Sequence, residues 1–448
     1  MSKISLKTGI QKLKRFVDRP IIQNILIVGV VTLGIKGIGF YKELVIAENL
    51  GLSELLDTFL IAMLVPSFIS TVFLGSYKNV FIPNYVVQIN QKGSLRDFQT
   101  TSILITLSIA FFFMLIAYLF SDIYLTTIFP EHTEQYYDLI RIQLHYLLPC
   151  IAFWAVSSLL SGLLQVDKEY LHSTISGVFM SIATIVSLTF FREELEEKVL
   201  VIGILVGSFL GLLYLIIVSI KRGVIKIGKP NFSDSNIKQL IKQVPVKISS
   251  ALINSLNPVV DQFFSAQLII GSIAALNYGL KIPMLVVGLI GTALGNVLLP
   301  YFSDFAASNM KKAYLELNKI LKYNLLICTI IALILYFLSE FVVSLVFERR
   351  EFTADDTQIV YRVQEMYLIQ VPFYVSGLIM NRFLTSINRN SFLVTTSVIS
   401  LFLNVVLNYV LIEIMGVYGL ALSTSLVSLV NTVIIYLYIQ RIKKIQHV

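Results

Sequence analysis

The sequence predicts an all-α polytopic membrane protein, with about 12 transmembrane helices in two pseudo-symmetric six-helix bundles flanking a central cationic cavity. Three observations predict this class. Of 448 residues, 56% are hydrophobic and 14% charged, where a soluble chain needs roughly 25% charge to cover its surface. Apolar runs long enough to cross a bilayer as helices recur from end to end, and the mean hydropathy is +0.79. The two halves also repeat one pattern of prolines and polar residues.

The first residues carry Lys3, Lys7, Lys12, Lys14, Arg15 and Arg19, with Leu6, Ile10, Leu13 and Phe16 at helical spacing among them. No small-residue cleavage site follows, so residues 1–20 read as a cytoplasmic amphipathic segment on the inner membrane surface. Spans follow near 21–47, 55–89, 100–120, 138–164, 172–191 and 199–220, which form an N-lobe over 21–220. A second set near 244–268, 271–303, 317–347, 361–384, 392–412 and 418–438 forms a C-lobe over 244–438. The basic inter-lobe loop 221–243 joins the lobes, and 439–448 is a tail.

The loops orient the chain, because cytoplasmic loops are rich in Lys and Arg. With both ends inside, the inner segments hold 25 of the 35 cations, and the outer loops are acidic, as in "REELEEK" and "FPEHTEQYYD". The net charge of +8 therefore reflects topology and lipid headgroups, and implies no nucleic acid. A multi-pass protein of a bacterial cell membrane, with both termini cytoplasmic, is expected. The two cysteines, Cys150 and Cys328, lie inside apolar runs, with no disulfide framework or metal motif. The histidines are scattered, and no nucleophile or cofactor signal points to an enzyme.

The internal repeat is specific. "PSFISTVFLGSYKNVFIP" spans Pro66 to Pro83, and "PMLVVGLIGTALGNVLLP" spans Pro283 to Pro300. Asn79 and Asn296 each precede the second proline by four residues, and "YKELVIAENLG" aligned with "VVDQFFSAQLI" sets Glu43 opposite Asp261. Duplicated halves are a transporter architecture with its substrate site near mid-membrane. Pro66 and Pro283 favour bending within their spans, although plain packing is the rival explanation.

Charge at bilayer depth is the strongest functional signal. Lys36, Lys42, Lys78 and Lys281 all fall within predicted spans. Each costs roughly 2.5–3.5 kcal/mol to insert, so the set needs a purpose. Snorkelling can account for Lys42 and Lys78, and pairing with Glu43, Asp57 or Asp261 for others. Four cations against three acids still leave a positive remainder. A water-filled cavity that holds an anion such as phosphate is the favoured use, since each ammonium offers a compact charge. Gly37 and Gly39 beside Lys36 suggest a bend that turns Lys36 and Lys42 toward one cavity. The rival is that these glycines only permit close packing against the eighth helix.

The stretches "GFYKELVIAENLGLSELLDTFLIAMLVP", "LNYGLKIPMLVVGLIGTALGNVLLPYFS" and "FERREFTADD" resemble the MurJ/MviN family of lipid-linked precursor flippases. This family lies in the multidrug/oligosaccharidyl-lipid/polysaccharide exporter superfamily, with the polysaccharide flippases and MATE antiporters. The resemblance implies that Lys36, Lys42 and Lys281 stand where the family carries cavity arginines that hold a diphosphate. It sets Glu43 and Asp57 at family aspartates and Ser70 at a further family arginine, for which Lys78 is the compensating cation. The family usually has two more helices, lining a groove for the lipid tail.

The implied function is a flippase moving an undecaprenyl-diphosphate-linked saccharide, lipid II or a related cell-envelope precursor, from inner to outer leaflet by alternating access. The close alternative is an O-antigen or exopolysaccharide repeat unit as cargo. A MATE-type multidrug antiporter is disfavoured, because organic cations call for a carboxylate-dominated cavity. A membrane ligase or glycosyltransferase is disfavoured by the lack of a large extramembrane loop or metal motif. No cofactor is implied, and the expected partners are the lipid-linked saccharide and membrane lipids, with the protein a monomer. The residues do not choose between drive by membrane potential and coupling to a monovalent ion.

Overall fold

The structure, a computed structural model, describes the backbone of residues 20–130 and 132–445. Side chains are described from Gly29 onward, except at 131, 250, 254, 292, 293, 295 and 296. The amphipathic segment expected before residue 20 lies outside the described residues.

Twelve long helical segments make up the described chain: α1 (Pro20–Leu50), α2 (Glu54–Asn90), α3 (Leu95–Leu119), α4 (Glu134–Val166), α5 (Tyr170–Phe190), α6 (Val199–Lys221), α7 (Ser235–Ser265), α8 (Ser272–Ser308), α9 (Met310–Phe337), α10 (354–386), α11 (Ser391–Met415) and α12 (Val417–Ile445). Nine of them are long and apolar enough to cross a membrane, among the described residues. The other three are α1, whose side chains are described only in part, α7, which carries Lys238, Lys242 and Lys247, and α10. The α10 segment is two helices, Ala354–Leu368 and Val371–Ser386, because Pro372 starts the second without an N–H to continue the first. The span expected over 317–347 ends at Phe337 and a separate short helix, Ser339–Phe347, follows it; another short helix, Ser121–Ile128, follows α3.

Helix starts follow capping chemistry. Ser94 accepts from the Asp97 N–H, and Asn309 from the Lys312 N–H, each at the first turn of its helix. Thr353 and Asp356 close a reciprocal capping box at the start of α10.

The chain divides into two compact units. The first holds the described residues up to Ile46, with Val65–Phe120 and Arg141–Ile248; the second holds Ala47–Leu64, Ser121–Ile140 and Ser249–Val448. The segments around the α1–α2 turn and between α3 and α4 thus belong with the second half of the sequence.

Within the first unit, Gly203, Gly207 and Gly211 form a stripe on α6, facing the backbone of Thr184, Met180 and Ser176. A Cβ at Gly211 would stand 2.9 Å from the Ser176 carbonyl oxygen, so the close approach depends on the missing side chains. The loop after α6 is pinned to the start of α3. Gln99 donates to the Val224 carbonyl at 3.0 Å and accepts the Lys226 N–H at 2.7 Å. Thr100 and Thr101 accept the N–H groups of Gly228 and Asn231. Side chains thereby satisfy loop donors that no regular ladder reaches.

Within the second unit, Phe302 of α8, Tyr314 of α9 and Phe383 of α10 share one buried core, with Phe302 and Phe383 edge to face at 5.4 Å. Asn324 donates to Ser376 at 2.9 Å beneath that core.

Candidate functional site

Helix α1 is continuous α-helix through Gly37 and Gly39, beside which a bend toward a cavity was expected. A Cβ at Gly37 would meet no described atom within 4 Å, and one at Gly39 only Ser181 Oγ at 3.9 Å. Lys36 is exposed, while Lys42 is paired with its neighbour Glu43 at 2.8 Å, both about one-fifth exposed (19% and 18%). Adjacent helical residues point about 100° apart, yet the lysine stem is long enough to fold back.

The irregularity lies instead in α2. Pro66 is buried inside the helix, and Ser70–Leu74 form a single π-helical turn just after it. Proline removes one backbone donor and crowds the preceding turn, and the π turn follows on its C-terminal side, closed by the Gly75 N–H on the Ser70 carbonyl. Lys78 is half-buried and Asn79 exposed, beyond this turn. In the second copy of the repeat, Pro283 is buried and Pro300 exposed within α8, which stays α-helical throughout. The two copies share their prolines but not their backbone. Lys281, half-buried, precedes Pro283 in α8; the Asn296 side chain lies outside the described residues.

Asp57 was expected to serve as a cavity or ion-pair carboxylate. It is instead buried at 2% exposure and accepts two backbone N–H groups, from Gly271 and Ala274, each at 2.7 Å. Gly271 precedes α8 with φ +93 and has no side chain to cap the helix, so a carboxylate from α2 performs the capping. A negative charge at a helix N-terminus meets both the orphan donors and the helix dipole. The same neighbourhood carries further links. Arg350 Nε reaches Glu48 at 3.0 Å, the Glu351 N–H donates to the Glu48 carbonyl, and Gly51 lies against the Glu351 backbone. His132 stacks on Tyr136 with ring centroids 4.1 Å apart in the nearby segment after α3.

Asp261 is likewise held by neutral groups rather than by a lysine. Asn404 and Asn408 of α11 donate to its Oδ1 at 3.0 and 2.9 Å, and Asn408 also donates to Asn404. Sequence reasoning missed both asparagines. Their signal was present: two amides four residues apart in "LFLNVVLNYVL" share one face of an apolar helix.

The described lysines divide between the units, with Lys36, Lys42 and Lys78 in the first and Lys281 in the second. Glu43 stays with Lys42, whereas Asp57 and Asp261 are engaged by backbone and amide donors.

A long helical chain with a duplicated proline helix and ionisable groups at membrane depth defines a polytopic transporter. Solved structures agree on the fold. A lipid II flippase MurJ in an inward closed conformation matches with TM-score 0.81 and 21% identity, over 93% of this chain and 87% of that one. An inward-facing multidrug MATE transporter matches with TM-score 0.76 and 14% identity, over 92% and 95%. The sequence then specifies the family. The model of "Lipid II flippase MurJ" matches residues 46–448, and this chain belongs to that family. A probable lipid II flippase MurJ of Buchnera aphidicola subsp. Schizaphis graminum is 25% identical over 424 residues, 93% of this chain and 82% of the relative. One of Aquifex aeolicus is 27% identical over 412 residues, 89% and 79%.

Proposed function

We propose that this protein flips lipid II, an undecaprenyl-diphosphate-linked saccharide, from the inner to the outer leaflet of a bacterial cell membrane. Family membership over residues 46–448 is the observation that carries the reading. Lys36, Lys42, Lys78 and Lys281 supply the cations that hold the diphosphate. Ammonium groups replace guanidinium groups here, so charge is kept and bidentate geometry is given up.

Alternating access is the mechanism that a chain built from two repeats favours. The capping of α8 by Asp57 is internal to the second unit, where it fixes the start of α8. The membrane potential favours the outward step of an anionic headgroup by about 2.3 kcal/mol per charge per 100 mV.

The test is reconstitution. Proteoliposomes containing the protein and fluorescent lipid II are expected to show headgroup transfer between leaflets, read by an impermeant quencher, and protein-free vesicles none. Leaflet exchange no faster than in protein-free vesicles, under an imposed inside-negative potential, would overturn the reading.

A further inference from the structure

The second unit contains a cavity of about 610 Å³ that the diphosphate reading does not use. Helices α7, α8, α10, α11 and α12 enclose it, and Asn257, Asp261, Tyr374, Asn381, Asn404 and Asn431 are among its walls. Its chemistry is distinctive. No Lys, Arg or His stands among the described lining residues, and Asp261 is the one carboxylate, so an anion is repelled rather than held. The walls are carboxamides and hydroxyls, and several are incompletely bonded. The side-chain oxygens of Asn257, Asn381 and Asn431 and the hydroxyl of Ser400 have no hydrogen-bond partner among the described residues. A buried polar atom left unpaired is costly, so a cluster of them favours a ligand or solvent that can bond in return.

Tyr374 adds a different feature. It is 40% exposed and lies on the cavity wall, which offers a ring face and a phenolic hydroxyl. Neutral amides that can both donate and accept, together with an aromatic platform, match a polyhydroxylated ring with apolar C–H faces. The volume lies in the range of about 300–1,000 Å³ that holds small organic ligands.

We infer that this cavity is a saccharide subsite, which binds the uncharged sugar portion of the lipid-linked substrate apart from the lysines that hold its diphosphate. The inference rests on the flippase reading. It divides recognition by chemistry: ammonium groups take the anion, and amides with Tyr374 take the sugar hydroxyls and ring face. Asp261 is the acceptor at the floor of the subsite, oriented by Asn404 and Asn408.

The experiment compares two lipids on the purified protein in nanodiscs: undecaprenyl diphosphate, and the same lipid carrying a disaccharide. The glycosylated lipid is expected to bind the wild-type protein about tenfold more tightly, equivalent to about 1.4 kcal/mol. The double variant Asn381→Leu/Asn431→Leu, and separately Tyr374→Leu, are expected to erase that difference while undecaprenyl diphosphate binds as before. Lys36→Gln is expected to weaken both lipids alike. Retained binding of undecaprenyl diphosphate certifies the fold of each variant, and Tyr374→Leu, at a part-exposed position, decides if the double variant fails to accumulate. Equal wild-type affinity for the two lipids, or a difference that survives both variants, overturns the subsite and leaves the flippase reading intact. Failure of the wild-type protein to bind either lipid overturns both.

Discussion

Asp57 Oδ2 accepts the N–H of Gly271 at 2.7 Å, joining the second helix of the chain to the first turn of the eighth. The bond spans 214 residues, and its twin to Ala274 uses the other carboxylate oxygen. Both oxygens serve one helix end, which makes the link directional and sensitive to charge.

Asp57→Asn is therefore expected to destabilise this end of the second unit by about 1–3 kcal/mol, because one acceptor becomes a donor facing an N–H group. The protein still inserts. A cysteine at Ser272, buried at 4% in the parent protein, is expected to react faster with an impermeant thiol reagent when Asp57→Asn is present. An unchanged labelling rate would show that the cap does not hold the end closed.

Gly271→Ala tests the backbone half of the same link. Its φ of +93 is strained for any residue with a side chain, and an added Cβ would sit 2.8 Å from the Leu52 carbonyl oxygen. A loss of about 1–3 kcal/mol in thermal unfolding of the detergent-solubilised protein is expected. Gly288→Ala, where a Cβ would meet no described atom within 4 Å, serves as the control and is expected to be neutral.

Packing inside the first unit depends on the α6 stripe. Gly207→Leu drives a side chain into the Met180 backbone of α5 and is expected to abolish accumulation in the membrane. Overpacking of even a few atoms costs about 1–3 kcal/mol, and here backbone rather than a movable side chain stands in the way. The protein level, read by immunoblot of membrane fractions, checks this. A normal level would show that α5 and α6 separate readily.

His132 lies between the spans α3 and α4, stacked on Tyr136 and near Glu54 and Tyr137. Burial lowers its pKa below the ordinary 6.5, while Glu54 and the Ala266 carbonyl act in the opposite sense. The unfolded chain therefore takes up the proton first as the pH falls through 6.5. Stability is expected to be full above that value and to decline from there toward the lower folded pKa. Comparing Tm at neutral and mildly acidic pH, His132→Gln is expected to flatten part of this decline. An identical pH profile in the variant would remove His132 from the account.

Much of the fold was legible in the sequence for a physical reason: bilayer thickness fixes the length of an apolar run, and Lys and Arg mark the loops. The helices matched the expected spans even where a short second helix, as at Ser339–Phe347, replaced the end of a long one. The site was less legible. Lys36, Lys42, Lys78 and Lys281 stood out because charge in an apolar run is costly, yet the roles of the acids did not follow from that cost. Asp57 pairs with backbone N–H groups, which every residue carries and no sequence pattern distinguishes. Glycine at 37 and 39 permits irregularity without imposing it, whereas a π-helical turn falls at Ser70–Leu74, after Pro66 in the next helix. Asn404 and Asn408 were readable by spacing and passed over because they are uncharged.

Lys281 offers the sharpest test that the membrane-depth lysines bind the travelling diphosphate. Lys281→Gln and Lys281→Arg proteins, matched for membrane level, would be reconstituted with fluorescent lipid II and assayed for leaflet exchange. Lys281→Gln is expected to abolish exchange and Lys281→Arg to keep part of it, because the anion needs charge before geometry. Exchange by Lys281→Gln at the parent rate would remove Lys281 from diphosphate binding.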